Sequence, residues 1–139
     1  MIEIIAGENG KGKTKPLLDR VAAAVKEAPG NIVFLDKSAK HMYELHNRVR
    51  LINVADYPIT NCDEFMGFIC GIASQDNDLE EMYLDSFLTI ANLDSQSLTP
   101  AIEKLDIISE KYGIKFVLSV SCDPKELPEC AKARLVVSL

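Results

Sequence analysis

Residues 7–14 read GENGKGKT, which puts Gly7, Gly12, Lys13 and Thr14 in the spacing G-x-x-x-x-G-K-[ST]. That spacing serves anion binding. Glycines let the chain loop without Cβ clashes and bring successive backbone amides close to a polyphosphate. The free N–H groups of a following helix, with its dipole, add partial positive charge. Lys13 can reach terminal phosphates, and the Thr14 hydroxyl can ligate Mg²⁺. Asn9 and Gly10 complete the loop, and Lys11 and Lys15 add less specific attraction. Glu8 places a negative charge near the phosphates, and Pro16 falls in the first helical turn, where amides lack intrahelical partners anyway. In a chain of this composition the motif arises by accident in about one case in 400. Residues 7–15 are therefore the candidate nucleotide-binding set.

The elements around the loop have the order this chemistry requires. An apolar, strand-like run at 2–6 precedes it, and an amphipathic helix over about 12–27 follows, with Leu17, Leu18, Val21 and Val25 on one face. Further strand-like runs fall at 32–35, 51–54, 79–84, 115–120 and 135–139. A short helix is expected at 38–47. Another is expected over 61–74, with Thr60 and Asp63 as a capping box and Phe65, Phe68, Ile69 and Ile72 as its apolar stripe. Near 99–112, Thr99 can cap, Pro100 suits the first helical position and Gly113 can close the helix. The segment DPKELPECAKA can hold a last short helical piece. Strands alternating with helices predict an α/β fold: one domain over 1–139, a three-layer α/β/α sandwich with a mainly parallel sheet.

On the strength of residues 7–14 the chain resembles the P-loop nucleoside-triphosphatase superfamily. Beyond that motif it is similar only in its βα alternation. The resemblance implies ATP and Mg²⁺ as ligands and a metal-holding aspartate at the end of another strand. MYLDS makes Asp85 that residue, although Glu80 and Glu81 interrupt the apolar run before it. Ser86 follows where many such ATPases carry a catalytic glutamate. An aspartate followed by serine resembles the RecA-like ATPases, in which an acid ending the second strand polarises water; NIVFLDKS offers Asp36 for that role beside Lys13. Ser119 and Ser121 lie where such folds often place a polar residue that senses the terminal phosphate, but a plain alternation of serines along a strand is the favoured account of them.

Neither D-x-x-G nor [NT]-K-x-D occurs, which argues against a GTPase. A phosphate clamp of the small-molecule kinase type has only Arg20, Arg48, Arg50 or Arg134 to draw on, because residues 51–103 contain no Lys or Arg. The mildly basic stretch 37–50 is a candidate for one, with a solvated helix face as the favoured alternative. The chain is similar in size to small stand-alone P-loop proteins that carry a pilus-retraction label, but it has no room for that family's N-terminal domain.

Charge narrows the partners. The net charge of -6 argues against broad nucleic-acid binding. It divides into +3 over residues 1–50, -10 over 51–103 and +1 over 104–139. The middle block is a solvated acidic face or a surface for a basic partner. Cys62, Cys70, Cys122 and Cys130 form no CxxC pair, which suggests free, mostly buried thiols in a reducing compartment. No apolar run suits a membrane span and the start lacks a leader pattern, so the expected location is the cytoplasm. These features lead to the expectation of a slow Mg²⁺-dependent ATPase that binds a nucleoside triphosphate, with any arginine finger supplied by a second copy or a protein partner. The alternatives are a nucleotide-dependent binding module without turnover and a small-molecule phosphotransferase.

Overall fold

The computed structural model describes residues 1–139. Six strands, β1 (Ile2–Gly7), β2 (Asn31–Asp36), β3 (Val49–Asn53), β4 (Leu79–Leu84), β5 (Lys115–Ser121) and β6 (Leu135–Ser138), form one sheet in the order β3-β2-β4-β5-β1-β6. Every pairing is parallel. Parallel neighbours need crossover connections, and five helices serve that purpose or support it. They are α1 (Thr14–Glu27), α2 (Cys62–Ser74), α3 (Phe87–Ile90), α4 (Leu98–Tyr112) and α5 (Glu129–Lys132). None is long and apolar enough to cross a membrane.

Strand alternation divides the core in two. Ile5, Ile32, Phe34, Tyr83 and Val117 face α1 and pack on its Leu17, Val21 and Ala24. Ile4, Val33, Leu35, Met82, Leu84, Phe116 and Leu118 face the other way, onto Phe65 and Ile69 of α2 and Ile102 and Leu105 of α4. Both faces of the sheet are thus covered, and each fully buried large side chain contributes about 2 kcal/mol. The strand reading of 79–84 holds because its two glutamates sit at the start: Glu80 is exposed, and Glu81 accepts from the Tyr83 hydroxyl at 2.7 Å.

Local departures from the sequence reading have identifiable causes. The helix expected at 38–47 is a single 3₁₀ turn at Met42–Glu44. Lys37, Ala39 and Lys40 are exposed, so the segment has no apolar face long enough to dock a full helix. Asn61, rather than Thr60, caps α2: its side chain accepts the Glu64 amide, while Glu64 accepts from the Thr60 amide and hydroxyl. The reciprocal pattern is the expected one, displaced by one residue. Of the stripe predicted for α2, Phe65 and Ile69 are buried, whereas Phe68 and Ile72 are only partly so. Helix α4 starts one residue earlier than expected, after Ser97 and with no side-chain cap, so Thr99 does not serve as one. Gly113 closes it at φ +68, as its sequence position suggests. Pro124–Glu126 and α5 supply the short helical pieces near the end. All four cysteines are free; Cys122 is buried and the other three are half-buried, so burial of the thiols is less complete than expected.

Candidate functional site

Four strands bring their C-terminal ends to one place. β1 delivers the glycine-rich loop, β2 ends in Asp36, β4 is followed by Asp85, and β5 carries Ser119 and Ser121. The connection leaving β1 runs over the α1 face, whereas the one leaving the neighbouring β5 runs over the other face, so a crevice opens between them. Ligands of open α/β sheets bind at such switch points, at the carboxyl ends of the strands.

The loop is shaped by two left-handed residues, Gly10 at φ +85 and Gly12 at φ +80. Gly7 answers a different constraint: a Cβ there would lie 2.9 Å from that of Leu139. From Glu8 to Lys13 the only amide in a backbone hydrogen bond is that of Lys11, which donates to Glu8 O at 3.2 Å. The rest are left for a ligand or water. Lys13 is buried, and its Nζ donates only to Glu8 O, at 3.2 Å. Burial holds its pKa below the ordinary lysine value; the Asp85 charge opposes this and Lys37 adds to it.

Asp85 is the hub. Thr14 Oγ1 donates to its Oδ2 at 3.0 Å, and Ser119 Oγ donates to its Oδ1 at 2.5 Å. The same Ser119 oxygen accepts the Ser86 amide at 2.7 Å, and the Asp85 amide donates to Leu35 O on β2. Ser86 adopts φ +57, a left-handed conformation that costs a non-glycine residue about 1–2 kcal/mol. Its amide bond to Ser119 is among the contacts that hold it there.

A cleft of about 260 Å³ opens above this hub, lined by ten residues with no hydrophobic residue among them. Asn9, Gly10, Gly12, Lys13, Thr14 and Asp85 line it, joined by Lys37, Ser86, Thr89 and Ser121. Of the remaining loop residues, Glu8 and Lys11 are exposed. Lys15 points away from the cleft into an ion pair with Asp19 at 3.0 Å.

Asp36 stands beside the cleft, 1% exposed. Its Oδ1 accepts the Lys37 amide at 2.7 Å, while Oδ2 is buried without a partner. Burial, then the Asp85 charge, pushes its pKa above the ordinary carboxylate value. His41 joins it: one ligand atom each from Asp36, His41 and Asp85 lie within 4.8 Å of one another.

The arginines are elsewhere. Arg20 pairs with Glu3, Arg134 with Asp106, and Arg48 donates to the carbonyls of Val25, Ala28 and Gly30. Arg50 lines a separate hollow with Tyr57 and Phe68. None lines the cleft, so the basic stretch 37–50 contributes Lys37 and no arginine clamp.

Sequence reasoning misses Lys37, Ser86, Thr89 and His41 as neighbours of the cleft or of its carboxylates. A polar residue directly after Asp36 or Asp85 is the available signal for Lys37 and Ser86. His41 has none, because a helix is expected there. Ser119 has a definite partner in Asp85, so alternation along a strand does not by itself account for it. No family model matches the chain, and no curated protein matches its sequence.

Proposed function

We propose that the chain is a P-loop nucleoside-triphosphate-binding protein that hydrolyses ATP slowly with Mg²⁺. The observation that carries this reading is the Thr14–Asp85 hydrogen bond, 3.0 Å between residues 71 apart in sequence, at the mouth of a loop whose amides, that of Lys11 apart, are unpaired. A hydroxyl and a carboxylate held together beside an amide-rich loop form a donor set suited to Mg²⁺, which takes oxygen ligands and keeps several waters. Thr14 and Asp85 would hold that metal. Lys13, the loop amides and the N-terminus of α1 would hold the phosphates. Mg²⁺ would neutralise charge on the phosphates, and the chain's own residues would orient them.

Asp36 fits a water-positioning role. It is buried, has one free oxygen, and lies in a cluster with Asp85. A carboxylate whose pKa is raised is a better proton acceptor near neutral pH than an ordinary one. The sheet supports assignment to the superfamily core, because the phosphate loop and the metal aspartate follow strands β1 and β4, separated by β5 alone.

A second reading, nucleotide binding without turnover, is favoured by one observation: all four arginines lie away from the cleft. Fast phosphoryl transfer generally needs such a group in cis or in trans. A small-molecule phosphotransferase would show itself by ATP consumption only with an acceptor present.

The deciding experiment is a calorimetric titration with Mg²⁺ and a non-hydrolysable ATP analogue. Saturable one-site binding that Lys13→Ala abolishes supports the reading, and unchanged affinity in that variant sinks it. Turnover that Asp36→Ala removes would then favour the ATPase over the binding module.

A further inference from the structure

Two carboxylates and an imidazole converge beside the cleft, and no lysine or arginine forms an ion pair with either carboxylate. Asp36 is 1% exposed and its Oδ2 has no hydrogen-bond partner. A buried carboxylate oxygen normally has a partner, and neighbouring carboxylates repel unless a positive charge lies between them. One oxygen each from Asp36 and Asp85 and one ring nitrogen of His41 lie within 4.8 Å of one another. Ligand atoms around a single ion stand no more than about 4.2 Å apart, twice an ordinary metal–ligand bond, so ion binding requires the three side chains to draw together from the spacing seen here.

His41 also has the support that metal-binding histidines have. Its Nδ1 lies 3.3 Å from Glu44 Oε2, which can accept the Nδ1 proton and leave the other nitrogen with its lone pair. The 3₁₀ turn at Met42–Glu44 holds that pair in place. Lysine does not fill the gap: the Lys13 ammonium bonds Glu8 O, and Lys37 and Lys40 are exposed.

We propose that Asp36, His41 and Asp85 bind one first-row transition-metal dication in the absence of nucleotide. A nitrogen donor beside two carboxylates favours ions such as Zn²⁺, Co²⁺ and Mn²⁺ over Mg²⁺, which prefers an all-oxygen shell. The site shares Asp85 and Asp36 with the nucleotide reading but does not depend on it, because a cation can be held there with no phosphate present.

The test is a titration of chelator-treated, reduced protein with Co²⁺ alone, followed by calorimetry and visible absorption. The expected result is one ion per chain, cobalt d–d bands and no sulfur-to-cobalt charge transfer. Asp36→Asn and His41→Gln should each weaken binding by at least about tenfold, and Glu44→Gln by about tenfold. In case a substitution disturbs folding, spin-echo spectroscopy of Mn²⁺ bound to the unmodified chain should show coupling to an imidazole nitrogen. Absence of saturable binding, affinity unchanged in a folded His41→Gln variant, or charge-transfer bands that place the ion on the cysteines would each overturn the proposal. The titration contains no nucleotide, so this site and the nucleotide reading can fail separately.

Discussion

Ser119 is fully buried, and its hydroxyl donates to Asp85 Oδ1 at 2.5 Å, so the strand that separates β1 from β4 also props the carboxylate that meets Thr14. Ser119→Ala removes that donor and also the acceptor of the left-handed Ser86 amide. The expected outcome is a loss of about 1–3 kcal/mol in urea unfolding, because the buried Asp85 carboxylate loses a donor and the half-buried Ser86 amide its acceptor. Mg²⁺-dependent nucleotide affinity should fall as well. A variant as stable as the parent would show that the hydroxyl supports nothing.

Asp36→Asn should stabilise the metal-free protein. Burial, then the Asp85 charge, raises the folded-state pKa of this carboxyl. In the unfolded chain it titrates near the usual value, about 3.9. As pH rises from there toward the raised folded value, the unfolded state releases its proton first. The folded state then holds more protons, so Asp36 makes stability fall with rising pH across that window. The substituted side chain cannot ionise, and its amide can donate toward Asp85. With chelator present, urea midpoints should fall less steeply with pH, from about pH 4 upward, in the variant, which should be the more stable of the two at neutral pH. A variant less stable than the parent at neutral pH would contradict this.

Gly12→Ala should separate folding from binding. The position has φ +80 and a Cβ there meets nothing within 4 Å, so the cost is backbone strain of about 1 kcal/mol. Thermal melting should stay cooperative, while nucleotide affinity falls as the loop relaxes and its amides turn away. Unchanged affinity would mean that the loop geometry does not serve a phosphate.

Arg48→Ala should weaken the fold and leave the cleft intact. The guanidinium donates to Val25 O at 2.7 Å and to the carbonyls of Ala28 and Gly30, where α1 ends with its own C=O groups unpaired. A loss of about 2 kcal/mol in unfolding free energy is expected, with nucleotide titration unaltered. A selective loss of nucleotide affinity would return Arg48 to the phosphate clamp that its sequence position suggests.

The parts of this molecule legible in the sequence are those written in local pattern. The apolar runs mark all six strands, Gly113 marks the end of α4, and the spacing of Gly7, Gly12, Lys13 and Thr14 marks the loop. Asp36 and Asp85 are legible because each follows an apolar run. What the sequence hides depends on distance: Ser119 reaches Asp85 across 34 residues, and only the register of β5 against β4 brings them together. The stretch 38–47 misleads because its charges alternate as on an exposed helix, while the chain there makes one tight turn that carries His41 to the carboxylates. The α2 cap moves by one residue because Asn61 competes with Thr60 for the same role.

The strand order has a consequence for how the chain comes together. β1 pairs only with β5 and β6, so Ile2 must wait for Phe116 and Ile4 for Leu135. During synthesis β2, β3 and β4 can associate while β1 and the glycine loop have no neighbour to bind. Contact order is high at the one place where the loop is anchored, and closing a segment of more than about a hundred residues is the step that seats it. The cleft is therefore incomplete until β5 is in place. A ligand captured there would report that β5 has joined β1 to β4, and a chain stalled before β5 would expose an apolar edge and carry no cleft.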